Sequence, residues 1–223
     1  MIKLKKILKT KMPSIKFFPS LLSANFGNLQ KEISQTEDFV DGFHFDSMDG
    51  HFVPNLTFGP PILAKLKSKK IFDAHLMLSN PEFFITDFAK AGAKMISIHA
   101  EITKNPAEVL SQIKKLPENI LAGIVFNPDT KINFNLCEIA DFVLIMSVFP
   151  GFGGQKFIAK SLEKVVQIRK KFPKKNIQID GGINEENINE VFSSGANWIV
   201  SGSSFWHSKN LLKTAKIFHN NEY

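Results

Sequence analysis

The chain of 223 residues contains one cysteine, one arginine and one tyrosine. A lone Cys137 rules out a disulfide framework within the chain and any cysteine-built zinc cluster, and it favours a reducing, cytoplasmic compartment. The shortage of arginine matters as much, because a net charge of +7 would otherwise point to nucleic acid. Nucleic-acid surfaces cluster guanidinium groups with exposed aromatics, whereas every basic residue here except Arg169 is lysine, scattered over many segments. The charge therefore reads as solvated surface with some attraction for anionic substrates, and no nucleic-acid partner is expected. No apolar stretch approaches the ~20 residues of a membrane span, so no membrane partner is expected either. Residues 1–11, MIKLKKILKTK, are basic but lack the apolar core of a secretory signal. They read as a frayed extension, a misassigned start ahead of Met12, or an organelle transit segment. The extension is taken to run over residues 1–15, and the catalytic domain over 16–223.

What the chain does contain is a repeating alternation of short apolar runs and helical patterns, and 43% hydrophobic residues suffice for one large core. Strands are expected at 16–22, 42–46, 71–77, 94–99, 120–126, 141–146, 177–180 and 198–201. Between them lie helical faces such as Phe26/Leu29/Ile33, Leu63/Leu66 after Pro60-Pro61, Phe84/Ile85/Phe88, Val109/Leu110/Ile113, 134–139, Leu162/Val165/Val166 and Ile188/Val191/Phe192. Asn80-Pro81, Asn105-Pro106 and Asn184 read as helix starts, and a last helix begins near Ser208. Eight strand-helix units with nearly continuous apolar strands imply a parallel sheet closed as a single α/β (β/α)₈ TIM barrel. An open doubly wound sheet is the runner-up, disfavoured because polar residues recur at nearly every strand end rather than at one switch point.

Those strand ends carry the chemistry. His44 and Asp46, at i and i+2, share one strand face, and Asp49-Gly50 and Pro54 end the strand just beyond them. Taken singly, such a pair is more often a structural hydrogen bond. His75 ends the third strand and Asp180 the seventh, and a barrel brings these ends to one face. Two imidazoles and two carboxylates suit Zn²⁺, Fe²⁺, Mn²⁺ or Co²⁺ without choosing among them. His99, ending the fourth strand, reads as a core histidine or one that backs a ligand. Glycine-rich turns follow three adjacent strands: Gly151-Phe152-Gly153-Gly154, Gly181-Gly182 and Gly202-Ser203. Together they form a phosphate grip, since backbone N–H groups there approach an anion unobstructed. A cation beside two carboxylates and a phosphate grip fits proton abstraction next to the carbonyl of a small sugar phosphate.

The runs Pro19-Ser20-Leu21-Leu22-Ser23-Ala24, His44 to Asn55, His75-Leu76-Met77, Met146 to Gln155 and Asp180-Gly181-Gly182 resemble those of the ribulose-phosphate 3-epimerase family over about residues 17–218. The resemblance implies a ribulose-phosphate-binding barrel that converts D-ribulose 5-phosphate to D-xylulose 5-phosphate in the pentose phosphate pathway. It implies one divalent metal ion per subunit held by His44, Asp46, His75 and Asp180, with Asp46 and Asp180 as the proton-transfer pair. Ser20 and His75 would contact substrate, Met48, Met77 and Met146 would line the reacting carbons, and Gly151, Phe152, Gly153, Gly154, Gly181, Gly182, Gly202 and Ser203 would hold the phosphate. A homo-oligomer is the implied assembly. Ser47 and Phe149 depart from the family's common Val and Asn. The alternatives are a 3-epimerase of a ketohexose 6-phosphate such as D-allulose 6-phosphate, and a non-catalytic sugar-phosphate-binding barrel.

Overall fold

The structure, a computed structural model, describes residues 13–102 and 104–220, so the expected extension lies, up to residue 12, outside the described residues. Eight strands alternate with helices: β1 Lys16–Pro19, α1 Leu29–Thr36, β2 Gly42–Met48, α2 Pro60–Leu63, β3 Ile71–Met77, α3 Ile85–Lys90, β4 Ala93–His99, α4 Pro106–Lys114, β5 Leu121–Phe126, α5 Phe134–Ile139, β6 Phe142–Met146, α6 Leu162–Lys171, β7 Asn176–Asp180, α7 Ile188–Ser194, β8 Trp198–Ser201, α8 Ser203–Trp206 and α9 Leu211–Phe218. All ladders are parallel, in the order β1-β8-β7-β6-β5-β4-β3-β2. A parallel bridge from Ser20 to His44 joins the two ends, so the sheet is a nearly closed (β/α)₈ barrel and the open-sheet alternative falls.

Period-two alternation sorts each strand's side chains between two cores. Outward residues such as Phe43, Phe45, Ile96, Ile98, Ile177 and Ile179 pack against Ile33, Phe88, Leu110, Val165 and Val191 of the helices. Inward, Phe18, Met95, Phe142 and Trp198 plug the lower half of the barrel. A Cβ at Gly123 would collide with the Phe142 ring, so a bare backbone there admits the plug. Nine phenylalanines are among the largest fully buried side chains, each contributing about 1.5–3 kcal/mol of burial energy.

A repeated clamp closes the strands' amino ends. Asp41, Asp141 and Asn197 each precede a strand and donate their N–H to the carbonyl of Phe17, Ala122 or Ile177 on the neighbour, at 3.0, 2.8 and 3.0 Å. Their side-chain oxygens accept the N–H of that same residue at 2.8, 2.9 and 2.9 Å. The lone Arg169 is buried here and donates to Asn197 Oδ1 and to the carbonyls of Gly195, Pro173 and Lys175. Its guanidinium is a structural tie between α6 and the segments leading into β7 and β8.

Several local expectations are corrected. The first strand ends at Pro19, because the Ser20 hydroxyl accepts the Leu22 N–H and caps a 3₁₀ turn at Leu21–Ser23. The Pro60-Pro61 helix stops at Leu63. Asn80 starts only a 3₁₀ turn, without a side-chain cap, and Phe84 is 42% exposed rather than part of the buried face. Asn184 orders the turn through the N–H groups of Glu186 and Asn187, and the helix begins only at Ile188. The last helix starts at Leu211 behind its Asn210 cap rather than near Ser208. No described helix is long and apolar enough to cross a membrane.

At the end of α9, His219 Nε2 lies 2.7 Å from Asp41 Oδ2 and its Nδ1 lies 2.8 Å from the Ala215 carbonyl. Both ring nitrogens thus face acceptors, which suits the imidazolium. Burial opposes the charges, yet the Asp41 bond raises the His219 pKa, and bonds from His219 and the Phe17 N–H lower that of Asp41. The histidine's contribution is complete below its unfolded value and is lost as pH rises through the raised folded one, whereas the aspartate's is lost as pH falls, so the pair stabilises most between about pH 4 and 6.5. His219→Gln should therefore cost about 1 kcal/mol more at pH 5.5 than at pH 9 in urea unfolding. Equal losses at the two pH values would contradict this.

Candidate active site

The inner faces of β2 and β3 meet in register. His44 pairs with Asp73 and Asp46 with His75, so a His-x-Asp strand lies beside an Asp-x-His strand. His44 Nε2 is 3.2 Å from Asp46 Oδ1 and 3.3 Å from His75 Nδ1, which is itself 3.0 Å from Asp46 Oδ1. Asp180, at the end of β7, brings its Oδ2 to 3.9 Å from His44 Nε2. One ligand-type atom from each of the four lies within 4.8 Å of the others. Donors about 2.0–2.2 Å from a common ion stand roughly 3.0–3.6 Å apart, so the group could hold a divalent cation. His44, His75 and Asp46 are buried, while the Asp180 side chain keeps 14% exposure at the barrel mouth.

Each imidazole is held from behind. His44 Nδ1 is 2.8 Å from Asp73 Oδ2, and that oxygen accepts Gln178 Nε2 at 2.6 Å. His75 Nε2 is 2.8 Å from His99 Nε2, and His99 Nδ1 is 3.4 Å from Glu101 Oε2. His99 therefore backs His75, one of its two expected roles. The Ser20 hydroxyl donates to Asp46 Oδ2 at 2.5 Å.

These contacts drive the two carboxylates apart. Burial would raise Asp46, but the His44 charge and hydrogen bonds from His44 and His75 hold it well below the usual carboxylate range. Asp180 has no such donors, so burial and then the Asp46 charge push it up to about 7. Burial also opposes charge on His44, yet Asp46 and Asp73 raise its pKa well above normal; His75, whose burial dominates, falls to about 4. A pair of titratable groups separated in this way is the usual mark of an acid and a base.

Above the cluster lies a cavity of about 220 Å³, lined by Ser20, Asp46, Met48, Met77, Met146, Gly151, Phe152, Gly153, Gly154, Asp180, Gly181, Gly182, Gly202 and Ser203. Every residue assigned from the sequence to metal, proton transfer or substrate is thus on its wall except His44 and His75, which lie beneath it with no exposed surface. The β2–α2 loop contributes none of these lining residues but is tied to one of them. Asp49 accepts the N–H groups of His51, Phe52 and Ser79, and Asn55 Nδ2 donates to the Gly151 carbonyl at 2.6 Å. Gln155 Nε2 ties the opposite loop together through the carbonyls of Phe149 and Phe152.

Sequence reading missed Leu22, Ser23, Val148, Pro150, Gln155, Ile183 and Asn184 on the wall, and Asp73 and Gln178 below it. Ser23 fills the space that side chains at Gly153 and Gly202 would take. Only Asp73 left a usable signal, since Asp73-Ala74-His75 mirrors the spacing of His44-Phe45-Asp46.

The sequence profile of the Ribulose-phosphate 3 epimerase family matches residues 16–206. A ribulose-phosphate 3-epimerase of Helicobacter pylori is 44% identical over 205 residues, covering 88% of this chain and 93% of its own. The protein named the cytoplasmic isoform of ribulose-phosphate 3-epimerase in Oryza sativa subsp. japonica is 41% identical over 200 residues, covering 86% and 87%. Among solved structures, the 3-hexulose-6-phosphate synthase of Salmonella typhimurium superposes with a TM-score of 0.69 over 92% of this chain and 97% of its own, at 15% identity, a likeness of fold.

Two of the positive-φ glycines on the cavity wall differ in one respect. A Cβ at Gly182 (φ +66°) would lie 2.6 Å from the Phe157 backbone nitrogen, whereas one at Gly154 (φ +73°) meets nothing within 4 Å. Both substitutions incur the left-handed strain of about 1–2 kcal/mol, but only Gly182→Ala must also displace the 155–157 backbone. Urea unfolding should show Gly182→Ala to be less stable than Gly154→Ala by at least about 1 kcal/mol. Equal stabilities would contradict the packing of that loop.

Proposed function

The chain belongs to the ribulose-phosphate 3-epimerase family, and from that premise we propose that it inverts C3 of D-ribulose 5-phosphate to give D-xylulose 5-phosphate. It is an isomerase, and the observation that carries the mechanism is the placement of Asp46 and Asp180, two carboxylates of one cluster that reach the same cavity from β2 and β7. In the forward direction the ionised Asp46 takes the C3 proton, the electrons move into an enediolate, and the protonated Asp180 delivers a proton to the other face of C3. The reverse reaction exchanges the roles, so the same pair serves both epimers. A divalent cation held by His44, Asp46, His75 and Asp180 would supply the positive charge that polarises the neighbouring carbonyl and stabilises the enediolate.

Ser20 keeps Asp46 in place through its 2.5 Å hydrogen bond and leaves it acting from one side of the substrate. Met48, Met77 and Met146 give the reacting carbons an apolar wall that keeps water from the enediolate. The glycine turns after β6, β7 and β8, with Ser203, face the same cavity and are assigned to the phosphate. Assembly as a homo-oligomer and a cytoplasmic location belong to this reading, supported by the family assignment and by the name of the rice relative.

Hydrogen exchange in D₂O tests the two-carboxylate step. Asp180→Asn, once its metal content is shown to match wild type, should exchange the C3 hydrogen of one epimer while net epimerisation falls by about 10²–10⁴. Asp46→Asn should show the opposite preference. Metal-loaded Asp180→Asn that interconverts the epimers near the wild-type rate would replace this mechanism with a single-base one. Comparing kcat/KM on pentulose 5-phosphate and ketohexose 6-phosphate tests the substrate, and a preference for the hexulose would overturn that assignment.

A further inference from the structure

Beneath the four clustered side chains lies one fully buried carboxylate that the reaction does not use. Asp73 has no exposed surface, sits directly beside His44 in the β2–β3 register, and places Oδ2 2.8 Å from His44 Nδ1. The same oxygen accepts Gln178 Nε2 at 2.6 Å, and Gln178 stands two residues before Asp180 on β7. A chain of two hydrogen bonds thus links β7, β3 and β2 under the cluster. We infer that Asp73 is a positioning residue: it keeps the ring proton of His44 on Nδ1 and so turns the Nε2 lone pair toward a bound cation, with Gln178 holding Asp73 in that posture.

The need for such a residue follows from the competing acceptor. Asp46 Oδ1 lies 3.2 Å from His44 Nε2. With a cation bound the imidazole is neutral and carries one proton, and the nitrogen without it is the one able to bind a metal. With no acceptor at Nδ1, Asp46 would draw the proton to Nε2, and the N–H would point into the place where a cation is to sit. Asp73 offers the better placed acceptor, 2.8 Å against 3.2 Å, and biases the ring toward the metal-binding tautomer. Gln178 matters because a single oxygen serves both bonds: an unanchored Asp73 carboxylate could rotate away from His44.

This inference rests on the metal reading above, and the experiment separates the two. Zinc affinity is measured by competition with a chromophoric chelator, and the proton position on His44 by long-range ¹H–¹⁵N correlation in the zinc-loaded protein. Asp73→Leu should weaken zinc by about 10–100-fold and lose the Nδ1–H signal of His44. Gln178→Leu should weaken zinc by less. Should Asp73→Leu not fold, Asp73→Asn carries the test, with zinc weakened at least about tenfold because the amide lacks the charge. A merely structural role would lower the melting temperature of the zinc-free protein and leave zinc affinity and the proton position untouched. Wild-type zinc affinity in folded Asp73→Leu or Asp73→Asn overturns the inference alone. A wild-type protein that takes up no zinc, Co²⁺, Mn²⁺ or Fe²⁺ overturns the metal reading and this inference with it.

Discussion

The register of β2 against β3 is the constraint on which the rest depends. Because side chains alternate along a strand, a slip of one residue would turn His44 and Asp46 outward among the helices and point Phe43 and Phe45 into the barrel. In the observed register, His44 faces Asp73 and Asp46 faces His75, so each buried charge or proton has a partner on the next strand. Burying an ion costs several kcal/mol, and such a cluster persists only where its partners are held in place. The Ser20 to His44 bridge that closes the barrel and the Ser20 bond to Asp46 make ring closure and site assembly one event.

The two ends of the barrel divide the work. At the amino ends of the strands, the phenylalanine and tryptophan plug, the Asp41, Asp141 and Asn197 clamps and the Arg169 tie pack the base. At the carboxyl ends the loops are rich in glycine and fixed by a few side chains reaching the backbone, Asp49, Asn55 and Gln155 among them. Stability from below lets the mouth carry buried charge and open backbone that would weaken a smaller fold.

Much of this was legible in the chain itself. The apolar runs located all eight strands to within a few residues, and the His-x-Asp pair and the strand-end His75 and Asp180 stood out because polar residues interrupt those runs at their ends. Gln178 was missed because it lies inside its run, where a single polar residue carries no sign of what lies opposite it across the barrel, and Asp73 left only the mirrored Asp73-x-His75 spacing as a trace. The position of Ser23 against Gly153 and Gly202 likewise depends on how three loops converge, which no local pattern encodes. The early end of β1 came from a competition between strand and cap that Ser20 decides through its own side chain. Phe84 was placed on a buried face because its spacing suited a longer helix than the turn that actually precedes α3.

The central claim is that His44, Asp46, His75 and Asp180 together hold one divalent cation at the barrel mouth. Anomalous diffraction from crystals of the protein as purified, recorded across the absorption edges of zinc, iron, cobalt and manganese, tests it most directly. The expected result is a single anomalous peak per chain within about 2.0–2.3 Å of one atom from each of the four side chains. A peak bound elsewhere, or one at this place that leaves either histidine out, would contradict the account.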